Sequence, residues 1–168
     1  MGNIYGSFQE ASDSNWQLLV DLFKDSKKFK LLKPRRNNSV YDGILTTKKD
    51  GKTIIILIEV KRRQFTLDAL RNEYDNTLFL EKDKYTFLHK QGAKMAKLDP
   101  NREIKVWYLS KTRDGYYFIH DITNRDLVWV PIKMNNVTYD AHQTKKQKFV
   151  ALLHTSDAII ARKTNIIN

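Results

Sequence analysis

Asp50-Gly51 is the feature that most constrains this chain. A two-residue hairpin loop needs positive φ at both positions, which aspartate tolerates and glycine adopts freely. After it come five aliphatic residues, Ile54-Ile55-Ile56-Leu57-Ile58, followed without a polar break by Glu59-Val60-Lys61. Such a run suits a strand buried on both faces and is far too short to span a membrane. The turn also sets a register. With Lys49 opposite Lys52, counting back in step places Asp42 opposite Glu59. Side chains alternate along a strand, so both carboxylates and the ammonium of Lys61 project from one face.

Two carboxylates with Cβ atoms ~5 Å apart repel by about 3 kcal/mol at an effective dielectric of ~20. A hard divalent cation, Mg²⁺ or Mn²⁺, offsets this. Mg²⁺ is commonly held by one or two carboxylates, keeps several waters and takes further ligands from substrate phosphate. A lysine beside it can hold a water for attack on phosphorus or stabilise charge in the transition state. The constellation therefore reads as a phosphodiesterase site at the end of a rigid strand, where the chain reaches solvent. The competing reading is structural: Glu59 and Lys61 are a solvated strand end whose charges blunt a sheet edge. The acid-x-lysine pattern alone does not decide, because Asp25-Ser26-Lys27, Asp50-Gly51-Lys52 and Glu103-Ile104-Lys105 also satisfy it. These three end a helix, form a turn and open a strand. Only Glu59 has an aspartate set opposite it by the turn.

Around the hairpin, Ser7 and Glu10 have capping-box spacing, and Phe8, Asn15, Trp16, Leu19, Leu22 and Phe23 form a helical stripe, which predicts a helix over about 8–24. Lys33-Pro34-Arg35-Arg36-Asn37-Asn38 reads as a basic loop. A second helix starts near Thr66, with Leu67, Leu70 and Tyr74 at helical spacing, and a third covers about 82–97. On the third, Tyr85, Leu88, Gly92, Met95 and Ala96 line one side and Lys90, Lys94 and Lys97 another. Strands follow at 106–110 and 116–122, joined across Thr112-Arg113-Asp114-Gly115, and shorter ones at 127–131 and 149–154. The expectation is a single α/β domain with a central mixed sheet flanked by helices, its core over about 8–122 and C-terminal strands over about 123–168.

The chain carries 30 Lys and Arg against 19 Asp and Glu, a formal charge of +11 in 168 residues, which points to a polyanionic partner. No basic amphipathic helix with aromatic anchors argues for a membrane surface. Without a secretory signal at its start and without cysteine, the chain reads as a soluble intracellular protein with no disulfide or thiolate site. His89, His120, His142 and His154 lack ligand spacing.

Asp42, then Glu59-Val60-Lys61 at the end of the next strand and a helix after it, resembles the core of the PD-(D/E)xK nucleases, which include many restriction and phage nucleases. The resemblance spans about residues 8–74. It implies a restriction-endonuclease-like core, Asp42 and Glu59 as metal ligands and Lys61 as the catalytic lysine. It also implies metal-dependent hydrolysis of phosphodiester bonds, more often in DNA than RNA, and a place in the cytoplasm of a bacterial or phage-infected cell. Two positions depart from the family pattern. The proline before the aspartate is Tyr41 here, and the glutamine that some members carry four residues before a tyrosine is Leu70, before Tyr74. Members often have an acidic residue on the first helix, which makes Glu10 a candidate third ligand, although it falls nearly opposite the apolar stripe and its capping role accounts for it.

Gln64 either touches phosphate or opens the loop to Thr66. Lys33, Arg35, Arg36, Arg62 and Arg63 flank the site in sequence and, with Lys90, Lys94 and Lys97, either form a track for the phosphate backbone or are solvated surface charges. Tyr116, Tyr117 and Trp129 either stack on bases or belong to the core. Double-strand cleavage would favour a homodimer with a symmetric pair of sites. The reading from a different class is a basic module of the same fold that holds nucleic acid without cutting it.

Overall fold

The structure, a computed structural model, describes residues 8–34, 40–135 and 145–163, with backbone only at 8, 9, 134, 135 and 145. Ser7, Arg35, Arg36 and His142 lie outside the described residues. The elements in chain order are α1 (Phe8–Phe23), β1 (Lys30–Leu32), β2 (Gly43–Lys49), β3 (Lys52–Arg62), α2 (Leu67–Asn72), β4 (Thr77–Glu81), α3 (Lys82–Leu98), β5 (Glu103–Lys111), β6 (Tyr116–Asp121), β7 (Val130–Asn135), β8 (Lys145–His154) and β9 (Ile160–Lys163). A six-stranded sheet runs β1-β2-β3-β5-β6-β9, with β3 and β5 parallel and the other pairs antiparallel. The fold is mixed α/β with a central mixed sheet, as the order of elements predicts.

A second, antiparallel sheet of β4, β8 and β7 accompanies it. One sheet was expected. The short strand Thr77–Glu81 lies between a turn and a helix and has too little periodicity to announce itself, yet it is the strand on which β8 pairs. The strand expected at 127–131 starts later, at Val130, because Leu127 and Trp129 pack against the core instead.

The hairpin forms as its turn dictates. Asp50 and Gly51 have φ of 50° and 77°, Lys49 faces Lys52, and the ladder continues to Gly43 opposite Ile58. One step further, the Asp42 N–H donates to the Ile58 carbonyl at 2.9 Å. On one sheet face Ile54, Ile56, Ile58 and Val60 pack with Trp107, Leu109 and Ile119 against Leu18, Leu19 and Phe23 of α1. Gly43 permits this close approach, since a Cβ there would stand 2.6 Å from Leu19 Cδ1. The opposite face, with Tyr108 and Phe118, is covered by Leu70 of α2, Leu78 and Leu80 of β4, Leu88 of α3 and Leu153 of β8. Glu59 and Lys61 alternate with the α1-facing residues and so point into this second layer.

Candidate active site

Glu59 is only 9% exposed, and β3 has β2 on one side and β5 on the other. A buried carboxylate on an interior strand has no edge to blunt, so the structural reading of Glu59 fails. The expectation that the strand meets solvent here also needs correction. The buried block extends through Val60, and Glu59 lies inside it because the second layer covers this face.

Asp42 is fixed at both oxygens: Oδ2 accepts the Val60 N–H at 2.8 Å, and Oδ1 accepts from Asn15 Nδ2 at 3.2 Å. The same amide nitrogen lies 3.5 Å from the Val60 carbonyl. Arg62 Nε donates to Asn15 Oδ1 at 3.2 Å, which sets which end of the amide faces Asp42, while Arg62 Nη2 donates to the Ser14 carbonyl at 2.6 Å. Glu59 Oε1 is ion-paired to Lys84 Nζ at 2.7 Å, from the first turn of α3.

Both carboxyls are held above their usual range. Burial raises Asp42 against the opposing Val60 N–H, Asn15, Lys84 and Glu59 contacts. Burial, then the charge of Asp42, pushes Glu59 up to about 8 although Lys84 and Lys61 oppose it. The pocket resists holding two negative charges, which is the tension expected of carboxylates gathered for a cation. Burial and the neighbouring Arg63 charge lower Lys61, with Glu81 and Glu59 acting the other way.

The second sheet closes the site. Glu81 Oε1 lies 3.9 Å from Lys61 Nζ, and its Oε2 is 2.7 Å from Lys148 Nζ of β8. Burial acts to raise the Glu81 carboxyl, but the Lys148 hydrogen bond and the charges of Lys61, Lys148 and Arg63 outweigh it and hold the group below its usual range. Arg63 turns inward, donating from Nη2 to the Phe79 carbonyl and, at 3.4 Å each, to Tyr108 Oη and Ser110 Oγ.

Asp42, Glu59 and Lys61 thus come together. Glu10 does not join them: it is exposed on α1, five residues before Asn15, hence roughly 7.5 Å along the axis and 140° around it. Among the described residues no group of three or more His, Asp or Glu gathers. Arg62 and Arg63 each donate to protein acceptors, Arg62 to Asn15 and Ser14 and Arg63 inward to Phe79, Tyr108 and Ser110. Lys33 is exposed and stands 4.0 Å from Asp13. Lys90, Lys94 and Lys97 are exposed, roughly 80–140° around α3 from Lys84, and Gln64 is exposed. Tyr117 is buried in the α1-side core, and Tyr116 and Trp129 pack partly buried against the other, where Trp129 meets Tyr85 edge-on at 5.3 Å. Asn15, Lys84 and Glu81 escaped sequence reading. Asn15 alone left a trace there, as a polar residue in the apolar stripe of α1.

The donor set suits a hard divalent cation. Carboxylate oxygens carry about four lone-pair positions in all, so Asp42 and Glu59 keep acceptor capacity beyond the contacts above, and the Val60 carbonyl stands beside them.

No protein-family model matches the sequence, and neither does any curated protein. Among solved structures, the chain is similar to Hjc, a Holliday junction resolvase from the archaeal hyperthermophile Archaeoglobus fulgidus, with 15% identity over 88% of this chain and 94% of that chain and a TM-score of 0.42.

Proposed function

We propose that this chain is a metal-dependent nuclease acting on DNA. The observation that carries the reading is the interacting carboxyl pair of half-buried Asp42, just before β2, and buried Glu59 on interior strand β3, with Lys61 two residues on. Asp42 and Glu59 would hold Mg²⁺ or Mn²⁺, with the Val60 carbonyl as a further oxygen. When bound, such a cation supplies Lewis-acid polarisation of a phosphodiester. The remaining work falls to the chain. Arg62 fixes Asn15, and Asn15 with the Val60 N–H orients Asp42. The second layer excludes bulk water from Glu59. Lys61 holds the attacking water or meets the charge that develops on phosphorus; water adds, the P–O ester bond breaks, and the leaving oxygen takes up a proton. DNA is the substrate implied by the PD-(D/E)xK resemblance, and the +11 charge suits any nucleic acid.

One observation favours the binding-module reading: Lys84 ion-pairs with Glu59 at 2.7 Å and would compete with a cation for that oxygen. Two measurements separate the readings. Linear, circular, single-stranded and branched DNA are incubated with the protein in Mg²⁺, Mn²⁺ or EDTA, and metal binding is followed by calorimetry for the parent and Asp42→Ala. The nuclease cuts in metal alone and binds metal only with Asp42 intact. Absence of both cleavage and heat establishes the binding module.

A further inference from the structure

We propose that Glu81 is a positioning residue for Lys61, an inference that rests on the nuclease reading above. Glu81 is the last residue of β4 and occupies the N-cap position of α3, where Ser, Thr, Asp and Asn are the favoured residues. Its side chain makes no capping hydrogen bond. Helix initiation therefore does not account for a glutamate here. The carboxylate instead divides between two lysines, Oε1 toward Lys61 at 3.9 Å and Oε2 toward Lys148 at 2.7 Å.

The division has a geometric effect. Lys148, from β8, grips one oxygen and so fixes the rotamer that presents the other oxygen to Lys61. Lys61 has a flexible four-carbon stem and sits on the same face as Glu59, ~7 Å away along the strand. The other carboxylate acting on its ammonium is Glu59, and a lysine folded onto Glu59 would compete for the oxygens that the cation and substrate need. Glu81 draws Nζ the other way. The side chains of Lys61 and Glu81 are 27% and 24% exposed, so the pair is partly withdrawn from the solvent that would otherwise screen it. The second sheet thereby acquires a role in the reaction, since β4 and β8 each supply one member of the clamp.

The test uses Glu81→Gln, which keeps the shape and an acceptor for Lys148, in the parent and in a Lys61→Met background. Displacement of a reacting group by about 1 Å can cost ~100-fold, so Glu81→Gln should lower kcat about 10- to 100-fold. KM, and DNA affinity in EDTA, should stay within about twofold. In the Lys61→Met background the same substitution should have no further effect on rate. Lys148→Met, which frees the clamp from its other side, should reproduce part of the loss. The ¹⁵Nζ resonance of Lys61 supplies a readout independent of cleavage, restrained in the parent and averaged in Glu81→Gln. An unchanged resonance and rate in Glu81→Gln would overturn the positioning, as would an equal rate loss with and without Lys61. A parent that cuts no DNA overturns the nuclease reading and the catalytic use of the clamp with it. The resonance still reports whether Glu81 holds Lys61.

Discussion

Glu59→Gln tests the buried pair most directly. Glutamine copies the shape of protonated glutamate and removes the ionisation. The Glu59 carboxyl moves from an ordinary 4.5 to about 8 on folding, so the folded protein holds this proton more tightly than the unfolded chain does. The sign follows from linkage. Glu59's contribution to stability is fully present below about 4.5 and is lost as pH rises through about 8. At ~1.4 kcal/mol per unit, the loss approaches about 5 kcal/mol, a large share of the 5–15 kcal/mol typical of a domain. Urea unfolding in EDTA at pH 5, 7 and 8.5 should therefore show parent and variant nearly equal at pH 5 and the variant increasingly the more stable above it. Carboxyls that do not interact with Glu59 cancel in the difference, whereas Asp42, which does, contributes to it. Adding Mg²⁺ at pH 8.5 should narrow the gap by roughly half, because only the parent gains the linkage stabilisation, ~2.7 kcal/mol at a hundred times Kd. A difference that stays flat from pH 5 to 8.5 would mean that Glu59 ionises as a solvated glutamate does, and the argument from a carboxylate pair in tension would collapse.

Lys61→Ala should reduce the single-turnover cleavage rate far more than it weakens DNA binding in EDTA, and equal losses in affinity with none in rate would make it an ordinary phosphate contact. Asp42→Asn should abolish Mg²⁺ stabilisation and, in EDTA, cost about 1–3 kcal/mol. The new amide N–H₂ must face either the Val60 N–H or the fixed Asn15 amide, both of them donors, and thermal unfolding with and without metal reads this out. DNA affinity should fall with salt at a slope of log K on log salt of roughly −5 for six phosphate contacts, measured by anisotropy titrations, and a slope near zero would remove nucleic acid as a partner.

The hairpin register from Lys49 opposite Lys52 to Gly43 opposite Ile58 was legible because it rests on one local fact, the Asp50-Gly51 turn, and it brings Asp42 close to Glu59. The depth of Glu59 was not. A charged residue after five aliphatics looks like the place where a strand leaves the core, and only the second layer shows otherwise. Alternation from Glu59 and Lys61 already puts Arg63 on their face. What the sequence lacks is the Phe79 carbonyl waiting there, on a five-residue strand with no periodic signature. Lys84 and Glu81 were hidden for a related reason: α3 and β4 come to the site through packing, and no local pattern records which residue of an exposed-looking helix start meets a carboxylate from another strand. The fold class was readable from the order of helices and strands, whereas division into two sheets depended on which distant strands pair.

The hairpin turn lies at the far end of its strands from the carboxylates, eight residues from Asp42 and eight from Glu59, so the site has a particular response to insertions and deletions. Adding one residue to each arm beside the turn lengthens the ladder into solvent and leaves Gly43 facing Ile58 and Asp42 beside Glu59. Adding a residue to one arm alone offsets the partners, and unless a bulge absorbs it, every pair back to the site slides by one. Related chains should accordingly vary this hairpin in steps of two residues, and a loop-length library grafted at 50–51 should retain metal binding in its even members and lose it in most odd ones.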